Sequence, residues 1–112
     1  MASVATARKI ALACPEAVEG AHMGHPDFRV GGKIFMTLWP AAKRVVVKLA
    51  PADQQALVQM DPDAFSVGAW GQQGWTSVQL ARVNAAQLRA LADAAWRNVA
   101  PGKLLDQHPL DG

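Results

Sequence analysis

The sequence predicts an α+β fold in which helices pack on one face of an antiparallel sheet. Half of its 112 residues (51%) are apolar and 18% are charged, a composition typical of one globular domain. Helix-like spacing of apolar residues marks both ends of the chain. Between them lie stretches rich in β-branched and aromatic residues, separated by turn residues, which is typical of short antiparallel strands.

The first half of the chain predicts one helix followed by a strand meander. The helix covers 4–14, is rich in alanine, and stops at Pro15 because proline cannot continue a helix. Gly31-Gly32 suits a two-residue hairpin, since glycine accepts the positive φ values of a type I′ turn. We therefore expect 28–30 to pair with 33–39, and the chain to reverse again near Pro40.

The second half predicts two helices around a pair of strands. One helix begins at Pro51 and ends before Asp61-Pro62, although Ala50 offers it no side-chain cap. Strands are expected at 64–70 and 76–82, around the turn GQQG. Asn84 caps the last helix, whose apolar stripe consists of Leu88, Leu91, Ala95, Trp96 and Val99. We expect one domain over 1–105 and a frayed tail over 106–112.

Strand alternation indicates which side of the sheet forms the core. One side of the two central strands is aliphatic and is the expected core side, with the residues Ile34, Met36, Leu38, Val45, Val47 and Leu49. The other side would face outward, with the residues Lys33, Phe35, Thr37, Trp39, Arg44, Val46 and Lys48. An alternative stays open, because Phe28 and Val30 would share the side of Phe35 and could make it the core.

The net charge of +2 is small but unevenly distributed. The stretch 28–50 contains five basic residues and no acid, whereas 51–80 contains three acids and no base. The five basic residues are Arg29, Lys33, Lys43, Arg44 and Lys48. Such a surplus can attract phosphates or an acidic partner, and it also suits an ordinary solvated sheet surface.

The sequence gives no sign of a membrane or an oxidising compartment. No apolar run approaches the roughly 18 residues that a membrane-spanning helix needs, and Arg8 and Lys9 stand where a signal peptide would be apolar. The single cysteine, Cys14, can form neither an internal disulfide nor a cysteine-based zinc site. We expect a cytoplasmic protein with no membrane partner, and we expect it to be a monomer.

Four runs along the chain resemble the MmcQ/YjbR-like family of small bacterial proteins. They are PEAVEGAHMGHPDFRVGGKIFMTLWP, VVVKLAP, DPDAFSVGAWGQQGWTSVQL and LRALADAAWRNVAPGKL, and the resemblance covers about 10–105. The most specific pieces are the Pro-Glu after the first helix, the FRVGGKIF hairpin, and the Gly-Trp that opens the last strand. The resemblance implies a two-layer α/β sandwich like that of CyaY and frataxin, and DNA binding through a double wing of hairpins.

By position, the wing tips of this chain would be 31–32 and 40–42. The flanking residues are Arg29, Lys33, Lys43 and Arg44. Two chain reversals within one short stretch are expected to hold these four side chains close together. The resemblance implies no catalytic residues.

A metal site could be imagined at His22, His25 and Asp27, since histidine and carboxylate are common metal ligands. Residues three apart in an extended segment point to opposite faces, so both imidazoles would reach one metal only if the link at 23–24 turned sharply. Glu16 and Glu19 add too little charge for a frataxin-like acidic ridge. We expect no metal and no cofactor.

Enzymatic signatures are missing from the sequence. Cys14 has no base near it in sequence, and we expect a small buried apolar residue there. The motifs GxGxxG, phosphate loop, nucleophile elbow and HExxH do not occur. We therefore expect that this protein is not an enzyme.

The expected function is DNA binding with little sequence specificity. Phosphate contacts are expected from Arg29, Lys33, Lys43, Arg44 and Lys48, and contacts with bases or sugars from Trp39 and Trp75. Trp96 belongs to the core stripe, whereas Trp70 and Trp75 bracket GQQG and could form a stacking surface. The alternative is a protein-interaction or small-ligand module using the open sheet face or the loop 70–75. A third hypothesis for the function is that the protein handles metal, as frataxin does.

Overall fold

A computed structural model describes residues 2–22, 24–68 and 73–109 of the chain. Trp70 and the first half of the predicted GQQG turn lie outside these residues. The elements, in chain order, are α1 Val4–Ala13, β1 Val18–His22, β2 His25–Val30, β3 Lys33–Trp39, β4 Arg44–Lys48, α2 Pro51–Met60, β5 Phe65–Val67, β6 Trp75–Gln79, α3 Ala85–Val99 and α4 Gly102–Gln107. Short 3-10 turns occupy Pro40–Ala42 and Leu80–Arg82.

The described strands form one antiparallel sheet with the order β1-β2-β3-β4-β6-β5. Helices α1 and α3 pack on β3, α3 also packs on β4, and α2 lies against β5 at the edge. The predicted α+β class, with an antiparallel sheet and helices packed against it, is confirmed. The described residues hold six strands; β1 was not predicted, and it is present because the chain also reverses at Gly24 and pairs β1 with β2.

Local sequence signals explain where the helices begin. Asn84 Oδ1 accepts a hydrogen bond from the Gln87 backbone amide, and the Gln87 side chain accepts one from the Asn84 amide. This capping box fixes the start of α3. Helix α2 begins at Pro51 without a side-chain cap. Helix α4 was not predicted; Leu104 buries its apolar side against the core, and residues 106 and 107 belong to this helix.

A β-bulge at Phe35 decides which residues of β3 are buried. Phe28 pairs with Met36 and Arg29 pairs with Ile34, so that Phe35 is an extra residue between the two pairs. A bulge of this kind turns two successive side chains toward the same side. Phe35 and Met36 are accordingly both fully buried. The expected outward placement of Phe35 was wrong, and so was the expected core placement of Ile34, which is half-buried and pairs with Arg29. Each of the two alternatives for the core therefore described part of it.

The hairpin between β2 and β3 turns through two glycines with positive φ, Gly31 at +59° and Gly32 at +80°. This confirms the predicted hairpin. A Cβ placed on Gly31 would lie 2.6 Å from Cγ of Pro101, in the link between α3 and α4. The tip of this hairpin therefore packs against the end of the helical layer.

Trp96 lies at the centre of the layer between helices and sheet. It is 1% exposed, and its Nε1 donates a hydrogen bond of 2.9 Å to the Pro15 carbonyl oxygen. Leu88 and Ala95 on the same helix are also fully buried, as the apolar stripe predicted. Within the described residues, no helix is long and apolar enough to cross a membrane.

Candidate functional site on the open sheet face

The open face is the side of the sheet turned away from α1 and α3. Strand register aligns one residue from each strand in a middle row, which consists of Gly20, Asp27, Thr37, Val46, Ser77 and Ser66. Larger side chains border this row toward both strand ends. They are His25, Trp39, Arg44 and Gln79 toward one end, and Arg29, Lys48 and Trp75 toward the other. The open face is thus a shallow trough with a floor of mostly small side chains.

Trp39 stands between His25 on β2 and Arg44 on β4. The His25 and Trp39 ring centroids are 3.7 Å apart with planes tilted by 31°, and Arg44 Cζ lies 4.8 Å from the Trp39 centroid. Because β3 lies between β2 and β4, the two partners approach the indole from opposite sides. The indole holds the Arg44 guanidinium by a cation–π contact and leaves neither ring face open to a stacked base.

A second cation lies against an aromatic ring at the other border of the trough. Lys48 and Trp75 are direct partners across β4 and β6, and Lys48 Nζ lies 5.5 Å from the Trp75 ring centroid. Both residues are half-buried. The pair fixes an ammonium group above the floor at the end of β4 opposite to Arg44.

Arg44 Nε and Ser77 Oγ are buried and have no hydrogen-bond partner among the described residues. Ser77 is 5% exposed, and its side chain points to the trough because its neighbours Thr76 and Val78 face the helices and are fully buried. Leaving a buried donor unpaired costs about 1 to 3 kcal/mol, so such atoms are rare. They mark two adjacent strands on which the described residues leave a donor without an acceptor.

The carboxylate of Asp27 is fully buried in the floor of the trough. Arg29 donates to both of its oxygens, from Nε at 2.9 Å and from Nη2 at 3.0 Å. This hydrogen bonding, followed by the charge of Asp27, raises the pKa of Arg29 above its usual value. A Cβ on Gly20 would lie 2.9 Å from Asp27 Oδ1, so glycine at this position leaves room for the ion pair.

The open face carries all of the net positive charge of the chain. It holds three of the eleven basic residues, Arg29, Arg44 and Lys48, and one of the nine acidic ones, Asp27. Eight residues of each sign remain elsewhere in the sequence. Lys43 adds a further exposed ammonium group at one margin, in the turn directly before Arg44.

A model of the YjbR family matches residues 12–98. The chain belongs to the YjbR family. The fold is similar to that of the Deinococcus radiodurans protein DR2400, which carries the family-model domain DUF419: the TM-score is 0.76 at 19% identity, over 99% of this chain and 83% of that one. No curated protein shows a significant match to the chain.

The wing tips expected at 31–32 and 40–42, whose flanking basic side chains were expected to lie close together, are at opposite ends of β3. This strand has seven residues, so the tips are about 20 Å apart at a rise of about 3.3 Å per residue. Lys33 and Lys43 flank different tips and are not held close together. The tip at Gly31 also packs against Pro101 and does not project freely.

The predicted phosphate-binding residues therefore separate into two groups. Arg29, Arg44 and Lys48 share the open face, with Lys43 at its margin. Lys33 pairs with Val30, which faces the helices, and so lies on the other side of the sheet at an exposed strand end. Trp39 and Trp75, which were predicted to contact bases or sugars, both lie on the open face.

The histidines considered for a metal site meet across a hairpin. The chain turns at Gly24 (φ +86°), and His22 is the direct backbone partner of His25, so the sharp turn on which a shared metal site depended is present. The side chain of His22 lies outside the described residues. Both oxygens of Asp27 bind Arg29, and within the described residues no group of three or more His, Cys, Asp or Glu side chains is placed to hold a metal.

Cys14 lies far from the open face, in a groove of about 600 Å³ between α1 and α3. Its thiol donates to the Ile10 carbonyl oxygen over 3.7 Å. Burial, with a smaller contribution from the charge of Asp93, raises the pKa of the Cys14 thiol to about 11. The group is therefore a neutral thiol at physiological pH, as expected for a structural cysteine.

Sequence reasoning missed Ser77 and His25 as residues of this face. Alternation along the predicted strand 76–82 puts Ser77 on the side opposite to Val78, and this was a sufficient signal for the position of Ser77. It gave no signal that the hydroxyl would lack a partner. His25 became visible only through the reversal at Gly24.

Proposed function

We propose that this protein binds DNA through its phosphates, using the open face of the sheet, without catalysis and with little sequence specificity. The contact residues are Lys43, Arg44 and Lys48, which line one continuous path from the β3–β4 turn along β4. Phosphate contacts of this kind position a protein on DNA and carry no sequence information.

The observation that supports the proposal most is the location of the net charge. The open face holds the surplus of two positive charges, and Asp27, the one acid that the described residues place on this face, is engaged by Arg29. A positive surface that is not cancelled by nearby acids attracts the phosphate backbone. In the rest of the sequence the eight basic and eight acidic residues balance, and two of the ion pairs there, Arg8 with Glu19 and Arg97 with Asp93, join opposite charges.

The aromatic residues have a different role from the one expected. Because both faces of the Trp39 indole are occupied, Trp39 positions Arg44 and does not stack on a base. Positioning lowers the entropy that a long basic side chain loses on binding a phosphate. Trp75 does the same for Lys48 through the contact of 5.5 Å.

The test compares two double variants that remove the same charge. Arg44→Gln with Lys48→Gln acts on the open face, and Lys33→Gln with Arg89→Gln acts on exposed residues elsewhere. For three phosphate contacts the slope of log K against log salt is about −2.7, so that raising salt from about 50 to 200 mM weakens wild-type binding about 40-fold. Removing two contacts should lower the slope to about −0.9.

Fluorescence anisotropy with a labelled duplex measures both quantities, and thermal melts show that all variants are folded. The control pair should keep the wild-type slope. Equal losses in the two double variants would mean that overall charge, and not the open face, carries the binding. Absence of binding by the folded wild type at about 50 mM salt would favour a protein-interaction role for this face.

A further inference from the structure

The trough contains one position where three side chains with donor groups lie around a single residue of the floor. On β4, Arg44 and Lys48 flank Val46, two residues away on either side. Val46 pairs with Ser77 on β6, so Ser77 is a diagonal neighbour of both basic residues. Diagonal neighbours on one sheet face are about 7 to 8 Å apart between Cα atoms, a span that one tetrahedral anion can bridge with long basic side chains.

We propose that this position is a phosphate subsite, in which Ser77 Oγ donates a hydrogen bond to a phosphodiester oxygen held between Arg44 and Lys48. The inference rests on the proposed function and names the place where one backbone phosphate sits. Arg44 Nε and Lys48 Nζ donate to the remaining oxygens. The site holds a single phosphate above Val46.

The unpartnered donors are the observation that carries this inference. Ser77 Oγ and Arg44 Nε are both buried and both lack a hydrogen-bond partner among the described residues. They lie on one face and on adjacent strands. A phosphodiester offers several acceptor oxygens and a negative charge, and therefore satisfies both donors while it balances the positive charge.

The chemistry of the surroundings favours an anion over a neutral ligand. Arg44 and Lys48 are basic, and the acid of the open face, Asp27, lies three strands away from Ser77 and is paired with Arg29. A neutral carbonyl would satisfy Ser77 but would leave two cations partly desolvated. A charged acceptor also makes stronger hydrogen bonds with such donors than a neutral one does.

The test separates a hydrogen bond from a charge. Ser77→Ala removes a neutral donor, so duplex binding at low salt should weaken about tenfold, the lower range for a hydrogen bond to a charged group. The slope of log K against log salt should stay that of the wild type, because no charge is lost. Lys48→Gln should instead lower the slope by about 0.9.

Two further variants complete the design. Ser66 is the strand partner of Ser77 on the same face and is exposed, so Ser66→Ala removes a matched hydroxyl and should change binding less than twofold. Ser77→Thr keeps the hydroxyl and should retain most of the affinity. A melting temperature of Ser77→Ala no lower than that of the wild type shows that the loss does not come from unfolding.

The outcomes distinguish this inference from the proposed function. If the wild type binds duplex with the expected salt slope but Ser77→Ala binds within twofold of it, the subsite is wrong and DNA binding by the open face stands. A loss in Ser77→Ala accompanied by an equal loss in Ser66→Ala also overturns the subsite. If the folded wild type binds no DNA, both proposals fall together.

Discussion

The two faces of the sheet differ in whether their buried hydroxyl groups are hydrogen-bonded within the protein. On the covered face, Thr76 is fully buried and its hydroxyl donates to the Gly74 carbonyl oxygen at 3.1 Å. On the open face, its neighbour Ser77 is almost as buried and its hydroxyl has no partner among the described residues. Two adjacent residues of β6 thus differ in whether the fold itself satisfies them.

The difference indicates where stability and function divide. The covered face is filled by aliphatic and aromatic side chains, and its few polar groups are bonded internally. The open face keeps cations against indole rings and buried donors without partners, an arrangement that lowers stability on its own. Departures from local satisfaction of this kind are expected at functional positions. Substitutions of the packed side chains should therefore cost more stability on the covered face, and removal of the unpartnered Ser77 hydroxyl on the open face should raise stability.

The largest effect is expected from Trp96 on the covered side. Trp96→Ala removes a 1% exposed indole and its hydrogen bond to the Pro15 carbonyl. We expect the free energy of unfolding to fall by about 3 to 5 kcal/mol, as it does when a buried aromatic residue is truncated. Urea denaturation followed by fluorescence of the remaining tryptophans measures this change.

Trp75→Ala is the matched substitution on the open face. Trp75 is half-buried, and its backbone carbonyl, which accepts from Gln54 Nε2, is retained in the variant. We expect a loss below about 1.5 kcal/mol, because less apolar surface leaves the interior. Equal losses at Trp96 and Trp75 would break the comparison between the faces.

The second prediction concerns Cys14, in the groove between the helices. Since the pKa of its thiol is raised to about 11, the thiolate fraction at pH 8 is about a hundredfold smaller than for an ordinary thiol of pKa 9.0. A more basic thiolate is also more nucleophilic, which recovers about a factor of ten. Alkylation by iodoacetamide at pH 8 should therefore be about tenfold slower in the folded protein.

The unfolded protein in concentrated urea serves as the control, since its thiol reacts at the ordinary rate. The same shift links stability to pH. The pKa of the Cys14 thiol is higher in the folded protein than in the unfolded one. The contribution of the neutral thiol to the free energy of unfolding is therefore complete below the unfolded pKa of 9.0, and it is lost as the pH rises toward about 11. A folded rate equal to the unfolded rate would show that Cys14 is not held as a neutral thiol.

Much of the fold followed from the sequence, because its signals are local. Asn84 and Gln87 form a capping box within four residues, Pro51 starts α2, and Gly31-Gly32 sets the β2–β3 hairpin. The bulge at Phe35 was not predictable in this way. The bulge lets Phe35 and Met36 both pack in the core against residues that are distant in sequence. Simple alternation along the strand does not predict such packing.

The site was predicted less completely, because it depends on register between strands. The local excess of positive charge identified the basic residues. It does not predict their positions in the sheet, where Lys33 and Lys43 lie at opposite ends of β3. Ser77 joins Arg44 and Lys48 only through the pairing of β4 with β6, across some thirty residues of chain. A cluster formed by residues so far apart in sequence needs the sheet order to become visible.

The smallest expected effects give the sharpest comparison, since they come from neighbouring hydroxyls on opposite faces of β6. Thr76→Val replaces a bonded hydroxyl by a methyl group of similar size and should lower the free energy of unfolding by about 0.5 to 1 kcal/mol. Ser77→Ala removes a buried hydroxyl that has no partner among the described residues. It should raise the free energy of unfolding by about 1 kcal/mol.

Chemical denaturation of both variants and of Ser66→Ala, all in buffer without phosphate or DNA, measures these changes. Ser66→Ala should leave stability unchanged, because its hydroxyl is exposed to water. If Ser77→Ala is as destabilising as Thr76→Val, the Ser77 hydroxyl is satisfied in the free protein and the two faces do not differ. If it is stabilising and also weakens duplex binding, one hydroxyl lowers the stability of the free fold and strengthens the complex, which is the behaviour of a group kept for its ligand.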